Sequence, residues 1–357
     1  MASPTAALDA DVAAVGAGPA GASAAIACAQ AGLRVIVFDR RGFPRDRVGE
    51  TLHPGVEPVL ERLGVLDPVV RAGFLRHEGI WVGTPSGSRF EPYGSDRHGP
   101  WRGFQAWRAD LDAILLGRAE ELGVEVIQPG RGLEPRLCAG RVVGVGTSAG
   151  ELAARFVVDA AGAQHWLGRR LGLGLTSRSP RLLARYGYVR GDCPTRDEAP
   201  CFLAEPGAWT WTARVRPGVY QWARVNLTGG PPPSHPPGEL RGLEPNGRPA
   251  GADVTWRSLE RPAGPGYFAV GDAAAVLDPA SSHGVLRALL SGMLAGQLIA
   301  AVIRRGLPEA IGEREYRAWI GSSVERDVTR LGDLYRRFPG PPGWLAGPDG
   351  ARPGAPR

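Results

Sequence analysis

Short apolar runs and an alanine-rich segment open the chain in a regular order. The run Asp11–Val15 is apolar after its first residue, and the alanine-rich segment Pro19–Gln30 follows it after a glycine-rich turn. A second apolar run, Arg34–Phe38, comes after Gly32. Short apolar runs bounded by glycine are typical of buried strands, and the longer segment between them is typical of a helix. The pattern therefore predicts a β-α-β unit with parallel strands.

The same pattern continues along the chain. It predicts helices at Glu57–Leu63 and Asp110–Leu122, and strands at Val124–Ile127, Arg141–Gly146, Phe156–Asp159 and Tyr267–Val270. The longest apolar stretch is Leu286–Ile303, which is interrupted by Arg287, Gly292, Gly296 and Gln297. We therefore expect a helix buried inside the protein and no membrane span.

Residues 176–261 differ in composition from the preceding part of the chain and contain more proline and tryptophan. The segments Ala208–Val215 and Val219–Leu227 alternate between two faces and flank Arg216-Pro217-Gly218, which predicts a β-hairpin. The hairpin is rich in tryptophan, and two interpretations stay open. Its aromatic side chains either wall a pocket for an aromatic substrate or pack ordinarily across the strands. In the first interpretation the substrate-binding residues are Trp209, Trp211 and Trp222.

Composition excludes several classes of protein. The 357 residues are enough for two domains, and all 42 basic residues are arginine, with no lysine in the chain. The arginines are scattered and form no basic run with interleaved aromatics, so nucleic-acid binding is not expected. The four cysteines lack metal-ligand spacing, and no metal site is expected. Residues 1–11 do not resemble a signal peptide, so we expect a cytoplasmic protein, in which Cys193 and Cys201 either pair or stay free.

The turn after the first strand reads Gly16-x-Gly18-x-x-Gly21. Glycine at the first position permits the tight turn, at the second lets the backbone approach a pyrophosphate, and at the third lets helix and strand pack closely. The helix that starts at Pro19 points its positive end at the phosphates. Asp39 ends the second strand, where an acid hydrogen-bonds ribose hydroxyls. These features predict a dinucleotide site.

A second glycine-bearing motif follows about 250 residues later. The predicted strand Tyr267–Val270 runs into Gly271-Asp272-Ala273-Ala274, and Asp278-Pro279 and Gly284 come next. This motif places a carboxylate and a helix start where a flavin needs them. The two motifs in this order predict FAD.

Taken together, the elements predict an α/β fold: a Rossmann-like FAD-binding domain with a three-layer ββα arrangement, into which a substrate domain with an antiparallel sheet is inserted. The FAD-binding domain is expected to be discontinuous, over residues 1–75, 102–175 and 262–305. The substrate domain takes 76–101 and 176–261, a helical segment covers 306–338, and a disordered tail covers 339–357.

Two histidines are candidates for acid–base work. His53 follows Glu50-Thr51-Leu52, and His283 lies within the Asp278–Gly284 loop, beside the expected flavin ring. Histidine titrates near neutral pH and can deprotonate a phenol or an indole. For each residue the alternative is a loop histidine without a catalytic role. Glu50 is interpreted as a structural partner of Arg45 or Arg47.

The run from Arg45 to Thr51, taken with the two motifs, resembles flavoproteins of the p-hydroxybenzoate-hydroxylase type, within them the tryptophan-halogenase-like branch. The pattern Asp278-Pro279-x-Ser281-Ser282-x-Gly284 and the following Ala288-Leu289-x-Ser291-Gly292 are most similar to the monooxygenases that hydroxylate tryptophan during maturation of quinone-cofactor enzymes. The resemblance covers residues 10–175 and 262–300. It implies that FAD is bound by Gly16, Gly18, Pro19, Ala20, Gly21, Asp39, Arg40, Arg47, Arg108, Gly271, Asp272, Pro279, Gly284 and Val285.

The chain departs from this branch at two places. Halogenases of the branch use a lysine amine to carry hypohalous acid, and arginine cannot replace it because its guanidinium stays protonated. Asp159 is followed by Ala160-Ala161-Gly162, and not by the Asp-Gly pair of hydroxylases that bind NADPH directly. Electrons therefore come either from NAD(P)H or from a separate reductase.

The sequence as a whole predicts an FAD-dependent monooxygenase that transfers oxygen from O2, through a flavin C4a-hydroperoxide, to an electron-rich aromatic ring. The substrate is an indole- or phenol-like compound or a tryptophan carried on a polypeptide. Two alternatives stay open. One is an FAD-dependent reductase or dehydrogenase of the geranylgeranyl-reductase type, and the other is a flavin-binding protein without catalysis.

Overall fold

The computed structural model of the protein describes residues 8–148 and 150–346. The expected absence of a signal peptide concerns in part residues 1–7, and most of the expected disordered tail is residues 347–357. Both stretches lie outside the described residues.

The described helices and strands follow the predicted order closely. The α-helices are α1 (Pro19–Gln30), α2 (Glu57–Leu63), α3 (Leu66–Arg71), α4 (Arg108–Glu121), α5 (Trp166–Arg170), α6 (Gly284–Arg305) and α7 (Glu309–Arg336). The strands of the first half are β1 (Ala10–Val15), β2 (Val35–Phe38), β3 (Thr51–Leu52), β4 (Leu75–His77), β5 (Gly79–Thr84), β6 (Gly87–Pro92), β7 (Ser95–Asp96), β8 (Gly99–Pro100), β9 (Gly103–Gln105), β10 (Glu125–Ile127), β11 (Gly132–Cys138), β12 (Arg141–Thr147) and β13 (Gly150–Asp159). Those of the second half are β14 (Leu175–Ser177), β15 (Leu183–Arg190), β16 (Cys201–Glu205), β17 (Ala208–Arg216), β18 (Val219–Asn226), β19 (Glu244–Pro245), β20 (Ala250–Asp253), β21 (Arg257–Leu259), β22 (Ala263–Gly264), β23 (Tyr267–Ala269) and β24 (Ala275–Val276).

The chain divides into two compact units. Within the described residues, the first unit takes 8–76, 102–176 and 257–326, and the second takes 77–101, 177–256 and 327–346. Residues 257–261, expected in the substrate domain, belong to the first unit because β21 pairs with β24. The helical segment expected at 306–338 is one helix, α7, and the division between the units falls inside it.

The first unit is built on a parallel sheet. Its strands lie in the order β10-β2-β1-β13, and β23 pairs with the carboxyl end of β13. Along β1 the register runs from Ala10 opposite Ala154 to Val15 opposite Asp159. All of these strands therefore end at one edge, which is where the glycine turn and Asp39 follow.

The parallel sheet is covered differently on its two faces. The amino-terminal half of β13 turns antiparallel to β12, which pairs with β11, and Val142 and Val145 of this meander pack on the sheet. The buried helix α1 contacts α4 and α6. The predicted three-layer ββα arrangement of a Rossmann-like domain is confirmed.

Helix α6 packs along α1 at backbone distance. A Cβ atom at Gly292 would lie 2.1 Å from the Ala20 carbonyl oxygen, and one at Gly296 would lie 2.7 Å from that of Ala24. By length and composition alone α6 could cross a membrane, but 56% of its apolar window is buried inside the protein. Its contacts with α1 are those of the buried helix that the sequence predicts.

The second unit is organised around another sheet, ordered β19-β15-β18-β17-β16-β5-β6, with β20 also on β15. The predicted hairpin is observed as β17 and β18, which pair from Ala208 opposite Asn226 to Arg216 opposite Val219. The chain from 229 to 237 runs without helix or strand, as expected for a surface loop.

The described part of the tail is ordered, contrary to the expectation of disorder from residue 339. Residues Gly343–Ala346 form a 3₁₀ turn, and the Trp344 indole N–H donates to the Leu227 carbonyl oxygen at 2.9 Å. The Trp344 ring also stands edge-on to that of Trp256, 5.2 Å away. The proline- and glycine-rich composition of this segment gives no indication of the contacts that Trp344 makes.

Substituting Gly292 with alanine tests the contact between α1 and α6. We expect Gly292→Ala to lower the free energy of unfolding by about 1–3 kcal/mol, because the new methyl group meets backbone that cannot move freely. The matched control is Gly117→Ala in α4, where a Cβ has no neighbour within 4 Å and stabilisation of about 0.5–1 kcal/mol is expected. Equal urea-unfolding midpoints for both variants would contradict the packing described here.

Candidate cofactor and active site

The glycine turn after β1 is sterically obligatory at two of its three positions. Gly16 has φ +110°, and a Cβ there would lie 2.2 Å from the Ala160 carbonyl oxygen. A Cβ at Gly21 would lie 1.8 Å from the Gly16 carbonyl oxygen. Gly18 differs, because its φ of −68° suits any residue and the nearest atom to its Cβ position is Arg45 Nη2, at 3.4 Å. The first and third glycines are therefore required by the backbone of the turn, whereas the second leaves space beside the turn for a ligand.

The first turn of α1 is ready to accept an anion. Gly18 is its N-cap and Pro19 its first residue, and no side chain caps the helix or places an acid in its first turn. The first N–H groups of a helix have no partner within the helix, and they carry its positive dipole end. A Cβ at residue 18 would narrow the approach to these groups. The geometry fits the pyrophosphate of a dinucleotide, with Ala20 and Gly21 in the same turn.

Asp39 is fixed beside this turn at the end of β2. The side chain is buried, and its two oxygens accept N–H groups from Ala17 at 2.9 Å and Arg41 at 3.0 Å. Arg45 Nη2 lies 3.4 Å from Oδ2. Each carboxylate oxygen keeps acceptor capacity beyond its one backbone partner, which is what hydrogen bonding to ribose hydroxyls requires.

Arg45 is a candidate cofactor residue that sequence reasoning missed. Its side chain is only 9% exposed and lies over the Phe43 ring, yet its Nε is buried without a hydrogen-bond partner among the described residues. Burial lowers the pKa of Arg45, whereas Asp39 and Asp112 act in the opposite direction. A buried guanidinium N–H with no acceptor fits a site completed by an anionic ligand. Its position two residues before Arg47, in the run from Arg45 to Thr51, is the feature of the sequence that could have identified Arg45 as a cofactor residue.

Arg108 is held rigidly at the start of α4. Its Nε and Nη2 donate to the two oxygens of Asp112 at 2.9 and 3.1 Å, and its Nη1 donates to the Val48 carbonyl oxygen at 2.8 Å. This bidentate pair is buried, so Arg108 anchors the segment from Arg45 to Thr51 against α4. Arg40 and Arg47 are exposed, and desolvation together with the nearby positive charges, Arg45 first, lowers the pKa of Arg47.

The second motif forms a turn against the first. Gly271 has φ +58°, and a Cβ there would lie 2.9 Å from Ala20 Cβ. The Gly271 N–H donates to Ser291 Oγ of α6 at 2.9 Å. Asp272 follows in a 3₁₀ turn, exposed to solvent. The two motifs, about 250 residues apart in sequence, therefore share one place in the first unit.

Buried His165 supports this turn, although the sequence showed no constellation around it. Its Nδ1 lies 2.9 Å from the Ala273 carbonyl oxygen, and Arg257 Nε donates to its Nε2 at 3.1 Å. Because a carbonyl oxygen can only accept, the neutral ring carries its proton on Nδ1. Burial lowers the pKa of His165. Nothing local in the sequence links these three residues.

The loop before α6 ends in a strained turn. Asp278 accepts the Ala280 N–H at 2.9 Å, Pro279 begins a 3₁₀ turn, and Ser282 has φ +55°. His283 is the N-cap of α6, and neither a capping side chain nor a first-turn acid is present. A Cβ at Gly284 would meet nothing within 4 Å, so the backbone at Gly284 is open to a flat ligand. The fit to a flavin edge is therefore good.

The two candidate histidines meet in the fold. The ring centroids of His53 and His283 are 5.7 Å apart, with an edge-on angle of 76°. His53 Nδ1 accepts the Gly55 N–H at 3.0 Å, so a neutral His53 carries its proton on Nε2. Glu50 is buried and accepts the Gly49 N–H at 2.9 Å, while Arg45 pairs with Asp39.

The three hairpin tryptophans do not form one substrate surface. Trp209 and Trp222 are each 1% exposed. Trp209 donates its indole N–H to Tyr335 Oη at 3.0 Å, whereas Trp222 packs in an apolar cluster with Tyr220. The register places Trp222 opposite Thr212, so it lies on the other face of the sheet from Trp209 and Trp211. The prediction that all three line the substrate approach is wrong for Trp209 and Trp222, and only half-buried Trp211 retains accessible surface.

The described residues contain no cluster of metal ligands, and the two cysteines that could pair do not. Among the described residues, no group of three or more His, Cys, Asp or Glu side chains has a metal-binding arrangement. Cys193 and Cys201 are both free and buried, so the alternative in which they pair is not realised.

Substituting Gly18 separates cofactor binding from folding. Variants at Gly16 or Gly21 would disturb the turn itself, whereas a side chain at Gly18 meets only the flexible end of Arg45. We expect the Gly18→Val apoprotein to fold, with a loss of at most about 1 kcal/mol for a poor N-cap residue, and to bind FAD at least about tenfold more weakly. Exposed Gly42→Val, with no atom within 4 Å of its Cβ, is the control that should keep FAD. Absorbance at the flavin band and FAD titration give the readout, and full retention of FAD by Gly18→Val would contradict the assignment.

Protonation of His165 should destabilise the folded protein in acid. Because its folded-state pKa lies below the ordinary value of 6.5, the unfolded chain binds a proton there first as the pH falls. The stability contributed by neutral His165 is therefore present above pH 6.5 and is lost as the pH drops below that value. Urea unfolding of wild type and His165→Asn should show a stability difference that shrinks on acidification. Exposed His98→Asn serves as control, and parallel pH profiles for wild type and His165→Asn would refute the role.

Comparison with known proteins places the chain in a family. The model of the FAD-binding domain family matches residues 9–197, more than half of the chain. A 1H-pyrrole-2-carbonyl-[peptidyl-carrier protein] brominase of Pseudoalteromonas luteoviolacea is 27% identical over 92% of this chain and 86% of its own length. The corresponding chlorinase of Pseudomonas fluorescens is 35% identical, over 46% of this chain and 42% of its own length.

One solved structure and one further relative are also similar to this chain over most of its length. A structure of the flavin-dependent brominase Bmp2 matches with a TM-score of 0.80 and 25% identity, covering 92% of this chain and 88% of that one. A digeranylgeranylglycerophospholipid reductase of Methanopyrus kandleri is also similar, at 29% identity over 82% of this chain and 77% of its own length. The chain belongs to the FAD-binding domain family and is an FAD-dependent oxidoreductase of the halogenase-like kind.

Proposed function

We propose that this enzyme is a monooxygenase that hydroxylates an electron-rich aromatic ring carried on a polypeptide. The observation that carries the proposal is the complete absence of lysine from a chain whose relatives include halogenases. A relay of hypohalous acid needs a nucleophilic amine, and the 42 basic side chains of this protein are all guanidinium groups, which stay protonated. Oxygen transfer needs no such amine.

The overall reaction balances without a halide. An aromatic C–H group, O2, two electrons and two protons give the phenol-type product and water. Bound and reduced FAD supplies the two electrons that activate O2. The protein has to hold the cofactor, exclude water and move protons.

The residues of the first unit suit these tasks. The start of α1 and Asp39 would hold the phosphates and the ribose, and buried Arg45 would complete the anion site. The uncapped start of α6 would direct positive potential at the flavin edge, which favours the reduced, negatively charged cofactor.

The His53–His283 pair supports a proton-transfer role. His283 is the residue directly before α6, and His53 approaches it with a proton on Nε2. An imidazole ring has one nitrogen that can donate a proton and one that can accept it, so two rings in edge contact are suited to passing a proton between them. We assign His283 as the base that takes the proton from the substrate ring, and His53 as the residue that exchanges that proton with solvent.

A carried substrate is supported by the names of the relatives. The chlorinase and the brominase act on a pyrrole-2-carbonyl group on a peptidyl-carrier protein. The surplus of arginine over acidic residues gives this chain a net charge of +6, which favours association with an acidic polypeptide. Electrons would come from NAD(P)H or from a separate flavin reductase. Asp159 takes no part in that choice, because it is fully buried and accepts the N–H groups of Ala161 and Leu167.

Halogenation is the second candidate, and the relatives favour it. Among them, the brominase match extends over 92% of this chain. If this chain halogenates, its transfer must proceed without a lysine amine.

The product of a reconstituted reaction distinguishes these functions. Holoenzyme is incubated with O2, bromide and chloride, a pyrrole-2-carbonyl carrier protein or free indoles and phenols, and either NADPH alone or NADH with a flavin reductase. We expect the carrier-bound substrate to gain the mass of one oxygen atom, with no halogen. A brominated or chlorinated product would overturn the proposal, and saturation of an isoprenoid with no oxygen uptake would favour the reductase alternative.

The histidine pair is tested by conservative amide variants. We expect His283→Gln to lower kcat by about 10²–10⁴ while leaving bound FAD unchanged, since general acid–base catalysis contributes about that much. His53→Gln should cost less and should flatten the pH dependence of kcat. Exposed His235→Gln is the control with wild-type turnover. Wild-type kcat in His283→Gln would remove the residue from the mechanism.

A further inference from the structure

A row of side chains crosses the sheet of the second unit at one level. Arg185 of β15 is directly opposite Arg224 of β18, which is directly opposite Thr210 of β17. Thr210 in turn is opposite Leu203 of β16. Directly paired residues point to the same face of a sheet, so the two arginines are side by side on one face.

Two like charges in direct cross-strand positions destabilise a sheet unless something neutralises them. Arg185 makes no ion pair or side-chain hydrogen bond with any described residue. Arg224 Nη1 is buried and has no hydrogen-bond partner among the described residues. A buried guanidinium N–H without an acceptor is costly, and folded proteins rarely keep one without a reason.

The neighbouring polar groups orient Arg224 without neutralising it. Arg224 Nε donates to Thr210 Oγ1 at 3.1 Å, and Thr210 Oγ1 donates to Glu205 Oε2 at 3.0 Å. Thr210 is only 2% exposed, so this chain of hydrogen bonds is fixed by the sheet. It occupies one edge of the Arg224 guanidinium and leaves the Nη1 side for another acceptor.

The row also ends without bulky side chains. Gly251 of β20 is opposite Arg185, and Gly83 of β5 is opposite Leu203. A Cβ at Gly251 would lie 3.7 Å from Arg185 Nη1, in ordinary van der Waals contact, so a longer side chain there could cover the guanidinium. Glycine at this position keeps the arginine accessible from the β20 side.

We propose that Arg185 and Arg224 form an oxyanion-binding site that takes the carboxylate or phosphate group of a ligand. Each guanidinium presents a planar fork of N–H donors that suits both of these anions, and the register brings two such groups to neighbouring positions on one face. The anion would neutralise the like charges and supply the acceptor that Arg224 Nη1 lacks. The site stands on the second unit alone and does not depend on which group the enzyme transfers.

The test measures anion binding to the full-length holoenzyme. Benzoate, pyrrole-2-carboxylate and inorganic phosphate are titrated calorimetrically, and their effect on thermal unfolding is recorded. The variants are Arg224→Gln and Arg185→Gln, and Arg89→Gln is the matched control, since Arg89 is an exposed arginine of the same sheet paired with Glu91. We expect each site variant to weaken anion binding about tenfold to a hundredfold, and the control to bind as wild type.

Thermal unfolding without anion distinguishes a ligand site from a structural one. Arg185→Gln should leave the anion-free midpoint unchanged or raised, because it removes a like-charge contact, and it should abolish stabilisation by the anion. Binding of carboxylates alone, of phosphate alone or of both supports the proposal and identifies the source of the anion. Absence of binding, binding unaffected by both site variants, or a lowered anion-free midpoint in Arg185→Gln would overturn it.

Discussion

Around the start of α1, three segments of the chain pack so closely that the contacting glycines have no room for a methyl group. Ala160 closes in on Gly16 from the end of β13, Gly292 of α6 meets the Ala20 carbonyl oxygen, and Gly271 meets the Ala20 side chain. Three segments distant in sequence therefore converge on the short stretch from Gly16 to Ala20. Only glycine and alanine can occupy these contacts, and the uncapped helix start that results is the feature that makes the first unit a nucleotide site.

That convergence explains why so much of the first unit could be predicted. Glycine is required at residue 16 by the distant Ala160 and at residue 21 by Gly16, but together these requirements leave a short glycine spacing that is visible in the sequence. The predicted bounds of α1 and α2 match the observed helices to the residue. Asp39 could be proposed on local grounds too, because it directly follows the apolar run of β2.

The residues that were missed or misassigned depend on long-range pairing. Period-two alternation shows which residues of one strand share a face, but not which face another strand presents, so Trp209 and Trp222 were grouped although the register separates them. His165 and Arg257 carry no local signal, and the orphaned Nε of Arg45 exists only once the chain buries it. The histidines at 53 and 283 were each identified from local context, whereas their contact is a product of the fold.

Two observations point to different chemistry for this enzyme, namely its similarity to halogenases and its lack of lysine. Similarity to halogenases makes the chain a halogenase-like FAD-dependent oxidoreductase, while its lack of lysine removes the amine that the resemblance to that branch implies for halogen relay. Halogenation and oxygen transfer are distinguished most directly by isotope incorporation under ¹⁸O2 in the presence of bromide, with the carrier-bound pyrrole as substrate. The account predicts a halogen-free product that carries one ¹⁸O atom from O2. A product that carries bromine, or oxygen derived from water, would contradict it.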